Sequence, residues 1–342
     1  MTNPTPTLRP CCGMTDVHTH VVPERFPAYV GKHLDARWPS TAPAHACHQH
    51  VMLAGSVYRT VSHQCWSSSV RLSDMDTTGV TRQVLSPMPE LLSYWLAPED
   101  GVAMCRFLNE TIAGMVSAQP QRFVGLGAVP LQDVDAAIRE LEIAVREFKL
   151  AGVEIGGNVE GTVIGDAKFS RFFAAAEQLG ASIFVHPLRP SGADRLIGPA
   201  ALEQVLAFPG ETGLAAASLI TGGTFAAHPG LRIAFSHGGG SFQALLPRLQ
   251  HGWETFPVLK DKIALEPREA ARRFYYDSLV YDRATLAHLL DSFGDTQLMV
   301  GTDYPFLIMD QQPGDTIAAL GVSPEVEARL YSGNAERWLG LA

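Results

Sequence analysis

Eight short apolar or β-branched runs, each closed by polar or turn residues, punctuate this 342-residue chain: residues 15–20 (TDVHTH), 82–88 (RQVLSPM), 123–130 (FVGLGAVP), 151–157 (AGVEIGG), 181–187 (ASIFVHP), 231–239 (LRIAFSHGG), 274–280 (FYYDSLV) and 297–305 (QLMVGTDYP). Between most of them the apolar residues recur at helical spacing, as in 135–151 (DAAIRELEIAVREFKLA) and 170–181 (SRFFAAAEQLGA). Strand–helix alternation repeated eight times predicts an α/β fold, a closed (β/α)8 TIM barrel, rather than two separate domains. With 46% hydrophobic and 18% charged residues, the chain has the apolar content that such a core needs.

The expected organisation is a polar, Pro-rich tail over 1–13 and a single barrel domain over 14–342. Residues 21–72 form a long inserted connection after the first strand. Connections of that length are usually lids or small insertions over a site. The net charge is −9 and no run of Lys or Arg occurs, which argues against nucleic acid or an anionic membrane as the partner. No apolar stretch approaches a membrane span, and the first residues lack the apolar segment of a signal peptide. The five cysteines, Cys11, Cys12, Cys47, Cys65 and Cys105, are odd in number and scattered, which fits a reducing, cytoplasmic setting.

In a (β/α)8 barrel the chemistry sits where the strands end. The first strand ends in His18 and His20, the fifth in His186, the sixth in His237 and the eighth in Asp303. Glu154 and Asp277 are the remaining ionisable groups there. Residues i and i+2 of a strand face the same side, so His18 and His20 can both point into the barrel mouth, with Thr19 turned toward the helices. Adding His186 and Asp303 gives three nitrogens and one oxygen. That set suits one divalent ion: Zn²⁺ first, with Mn²⁺, Fe²⁺ or Co²⁺ also accommodated. No lysine stands at the end of the fourth strand to bridge a second ion, so a single metal is expected. His45, His48 and His50 read as loop residues with no element to orient them.

The stretches DVHTHVVPERFP, FVHPLRP, FSHGGGSFQALLPRL and GTDYPF resemble the amidohydrolase-superfamily branch of 2-amino-3-carboxymuconate-6-semialdehyde decarboxylase (ACMSD) and related non-oxidative decarboxylases. The resemblance runs from about residue 14 through nearly the whole chain. It implies that His18, His20, His186 and Asp303 hold the metal, and that His237 is the general base or acid beside it. It also implies that Arg59 binds a substrate carboxylate, and that Arg248 reaches into a neighbouring subunit's site in a homodimer. The implied activity is loss of CO₂ from an unsaturated or aromatic carboxylate, with a divalent metal and no organic cofactor. Trp66, close to Arg59 in the long connection, is a candidate cover for the substrate.

One departure bears on the substrate. The segment 186–202 (HPLRPSGADRLIGPAAL) has no tryptophan where ACMSD carries them, and offers Arg189 and Arg195 instead. The same metal, histidine and aspartate could alternatively hydrolyse a lactone or an amide, or hydrate an unsaturated acid.

Overall fold

A computed structural model describes residues 13–32 and 37–342. The tail expected at 1–13 lies, apart from Gly13, outside the described residues. The eight predicted strands are all present: β1 (Met14–Val21), β2 (Val80–Pro87), β3 (Phe123–Gly127), β4 (Gly152–Gly156), β5 (Ser182–His186), β6 (Arg232–Phe235), β7 (Tyr275–Asp277) and β8 (Leu298–Met299). They pair in that order, each parallel to the next. The residues after β8 close the ring onto β1. Val17 N–H donates to the Val300 carbonyl at 2.8 Å, Asp303 N–H to His18 at 2.9 Å and His20 N–H to Tyr304 at 2.7 Å. The fold is therefore the (β/α)8 barrel that the alternation predicts.

Helix ends follow local chemistry. The helix Val134–Arg146 starts where the Asp133 carboxylate accepts the Ala136 N–H, and its acidic first turn suits the positive end of the helix dipole. The helix Ser170–Leu179 stops at Gly180, whose φ of 61° is a left-handed conformation that glycine adopts without steric cost.

Val17, Val84, Leu126, Phe184, Ala234 and Met299, from six strands, pack together with Ala335, Trp338 and Leu339. This is the lower lumen, plugged by the C-terminal helix Asn334–Leu339. Ser182 Oγ donates to the Trp338 carbonyl at 2.7 Å, and the Trp338 indole donates to the Arg232 carbonyl at 3.3 Å. Ser182 and Arg232 open their strands, so Trp338 seals the end of the barrel opposite the histidines.

Within the long connection, Ser40–Pro43, His48–Leu53 and Ser56–Ser62 form a three-stranded antiparallel sheet. His48 and His50 thus lie on its middle strand and not in a loop. His48 Nδ1 faces the Ala46 carbonyl at 2.9 Å and His50 Nδ1 faces Thr60 Oγ1 at 2.9 Å, each a separate local contact. Trp66 packs against the hydrophobic core and is absent from the walls of the cavity at the barrel mouth.

Candidate metal centre and catalytic pocket

At the C-terminal mouth, His18, His20, His186 and Asp303 are all buried, with one donor atom from each within 4.8 Å of the others. Among the described residues this is the only group of three or more His, Cys, Asp or Glu side chains so disposed. The Nε2 atoms of His18 and His20 are 3.2 Å apart, and Asp303 Oδ1 lies 2.9 Å from His20 Nε2 and 3.6 Å from His18 Nε2.

The opposite ring nitrogens face acceptors. His18 Nδ1 lies 2.6 Å from Asp277 Oδ2, His20 Nδ1 3.3 Å from the Pro87 carbonyl and His186 Nδ1 2.9 Å from the Pro187 carbonyl. Donation from Nδ1 leaves each Nε2 lone pair aimed at the shared point, the tautomer that a metal ligand requires. His186 Nε2 is buried and has no hydrogen-bond partner. A buried polar atom without a partner is costly, and an ion bound at the shared point removes that cost. The donor set therefore fits a divalent metal.

The electrostatics of His186, His20 and Asp303 agree with this reading, while His18 must give up a proton to an incoming ion. Burial and three neighbouring imidazoles hold His186 well below the usual histidine range, so it stays neutral and able to coordinate. Burial also lowers His20. At His18 burial works in the same direction, but the hydrogen bond and charge of Asp277 outweigh it and lift the ring to about 9. Burial would raise Asp303, yet His20 and His18 hold it at about 2, an ionised ligand at neutral pH.

A cavity of about 320 Å³ opens above these four residues, lined by Arg59, His186, His237, Asp303 and Phe306 among others. The structure thus brings Arg59 and His237 to the candidate ligands. The His237 ring lies 5.2 Å from those of His18 and His186 between centroids, and burial lowers it to about 4. Arg59, on the last strand of the inserted sheet, rests 4.2 Å over the Phe306 ring. Phe306 in turn stacks on His20 with centroids 5.0 Å apart. Arg59 pairs with no carboxylate among the described residues. Arg248 is not brought in: it is exposed on the helix Phe242–Thr255 and does not line the cavity of its own chain.

Two contributors escape a reading by strand ends. Arg71 is fully buried, donating to Thr19 Oγ1 at 3.3 Å, to Gln83 Oε1 at 3.2 Å and to the His20 carbonyl, so it braces β1 from the helix side. Gly301 is required by space, because a Cβ there would stand 2.6 Å from Asp277 Cβ and 3.0 Å from His18 Cβ. Glu154 is fully buried, and burial pushes it up to about 8. It stands outside the group of four, in keeping with a single metal.

The amidohydrolase family model matches residues 15–341. The chain is 36% identical to 2-amino-3-carboxymuconate-6-semialdehyde decarboxylase of Dictyostelium discoideum over 95% of its own length and 91% of that protein's. It superposes on 5-carboxyvanillate decarboxylase of Sphingomonas paucimobilis with a TM-score of 0.74 at 28% identity, covering 81% of this chain and 84% of that one. A dihydroxybenzoic acid decarboxylase of Polaromonas, crystallised with manganese and 2-nitroresorcinol, shares the fold with a TM-score of 0.71 at 23% identity, over 82% and 88% of the two chains. The chain belongs to the amidohydrolase family, within its branch of metal-dependent decarboxylases.

Proposed function

We propose that this enzyme removes CO₂ from an unsaturated or aromatic carboxylic acid without oxidant or organic cofactor. The observation that carries the reading is the convergence of three imidazole Nε2 atoms and the Asp303 carboxylate beneath a cavity that also holds His237 and Arg59. His18, His20, His186 and Asp303 hold one divalent ion, zinc by donor type and with manganese the alternative that the Polaromonas neighbour contains. When bound, that ion supplies a Lewis acid that polarises a substrate oxygen.

The chain's own residues do the rest. Arg59 presents a planar guanidinium that can grip a carboxylate through two parallel hydrogen bonds and fix the direction of the scissile bond. Phe306, Leu279 and Val280 line the cavity and keep its walls apolar. An apolar wall favours passage from a charged carboxylate to neutral CO₂. As the carbon–carbon bond breaks, its electron pair stays on the substrate carbon and must be met by a proton. His237, neutral at pH 7 and facing the cavity, takes a proton from water and returns it to that carbon. Arg248, carried on an exposed helix face, acts in the site of a second copy in a homodimer. Cys47, Cys65 and Cys105 are unpaired, which supports a reducing, cytoplasmic location.

The test is a panel of carboxylated aromatics and muconate-like acids offered to the metal-loaded protein, with CO₂ release followed. CO₂ formation that a chelator abolishes is expected. Ring opening or ammonia release without CO₂ would replace this reading with hydrolysis.

A further inference from the structure

Asp277 ends β7 and is fully buried. Its two oxygens are shared between halves of the site that lie far apart in sequence. Oδ2 lies 2.6 Å from His18 Nδ1 and accepts the His237 N–H at 3.0 Å; Oδ1 accepts the Gly238 N–H at 2.7 Å and the Leu279 N–H at 3.1 Å. The segment that it holds is an unusual one. His237, Gly238, Gly239 and Gly240 have φ of 56°, 61°, 79° and 58°, four consecutive residues of positive φ, the first of which carries a side chain. Such a run persists only where its surroundings over-determine it. Successive N–H groups in this conformation form a concavity that suits an anion, and here the anion is the Asp277 carboxylate.

We propose that Asp277 is the positioning residue that fixes the His18 tautomer and the His237 backbone together, so that ligand and proton carrier keep one relative placement. This rests on the metal-dependent reading above. A carboxylate at Nδ1 can only accept, so the one proton that the ring keeps when an ion binds sits on Nδ1, and Nε2 is free to give its lone pair to the ion. Asparagine with its oxygen in the Oδ1 place can still accept the Gly238 and Leu279 N–H groups, but not that of His237. Its amide, however, presents N–H to Nδ1 and drives the ring proton to Nε2, where it competes with the ion. The bare Cα of Gly301 permits the approach, since a Cβ there would stand 2.6 Å from Asp277 and 3.0 Å from His18.

The experiment titrates Co²⁺ into the metal-free parent and Asp277→Asn, reading the visible absorption of bound cobalt, with circular dichroism to establish folding. The parent binds. The variant should fold, bind cobalt about ten- to a hundredfold more weakly, and keep a reduced kcat with little change in KM at saturating cobalt, because the His237 anchor is altered. An unchanged cobalt affinity, or a kcat at saturation equal to the parent's, would overturn the proposal. Failure of the parent itself to bind would instead overturn the metal-dependent reading. Should the variant not fold, proton NMR of the zinc-loaded parent decides the matter. A slowly exchanging, downfield Nδ1 proton on His18 is expected, and a His18 ring with no Nδ1 proton would overturn the assignment.

Discussion

Val17 and His18 are consecutive in the chain, yet both side chains face the lumen of the barrel. Val17 packs with Phe184 and Met299, and the His18 ring lies 5.1 Å from that of Phe184. The reason is an extra residue in β1: Asp16 pairs with Gln83 and the next paired residue, Thr19, with Leu85, so β1 spends three steps where β2 spends two. A bulge of this kind re-aims a side chain. It turns Asp16 outward to accept from Thr302 Oγ1 at 2.7 Å, while strict alternation resumes from His18 to His20 and sends both rings to the same point.

Replacing His237 with Asn should leave metal content at the parent's level and lower kcat by about a hundredfold to ten-thousandfold, the usual contribution of a positioned proton carrier. Metal analysis alongside steady-state kinetics checks both halves. Full activity in the variant would remove His237 from the mechanism.

Metal affinity should depend steeply on pH. In the metal-free chain His18 is raised to about 9 by Asp277 against the effect of burial, so below that pH the ring carries a proton that the ion must displace. The sign follows: affinity rises with pH, by about tenfold per unit where one proton is released, and levels off above about 9. Calorimetry in two buffers of different ionisation enthalpy should count about one proton released per ion at pH 7.

Arg59→Ala should raise KM by about ten- to a hundredfold, the equivalent of one charge-assisted contact, and Arg59→Lys should restore little of it because an ammonium lacks the planar fork. Arg248→Ala should impair activity without unfolding the chain. Mixing it with an Arg59 variant should recover part of the activity if sites are shared across a dimer. Mixed dimers that demonstrably exchange subunits and remain inactive would refute the sharing.

Trp338→Ala should cost about 3–5 kcal/mol of stability, as for other large buried aromatics. The substitution sits at the closed end of the barrel and should leave kcat unchanged in the fraction that remains folded. Thermal or denaturant unfolding measures the first effect, and kinetics at a low temperature the second.

What was legible in the sequence divides by the kind of force involved. The eight barrel strands stand out because each is an apolar run that ends abruptly in polar residues, and His18, His20, His186, His237 and Asp303 are those endings. The inserted sheet over 40–62 was hidden because its strands are half-exposed, so no apolar alternation marks them. Asp277 is visible as a strand-end carboxylate, but its work depends on His18, 259 residues away, and no local pattern encodes that. The same holds for Arg71, which lies within the connection over 21–72 and which packing places at 0% exposure. Gly301 is required only because two side chains from other strands converge on it.

X-ray absorption at the metal edge of the protein loaded with one equivalent of zinc reads the ligand shell itself. One ion per chain is expected, bound by three imidazole nitrogens and a carboxylate oxygen at about 2.0–2.2 Å, with the imidazole signature reduced by His186→Ala. A protein that retains no ion under metal-replete conditions, or whose ion has a shell without histidine, would contradict it.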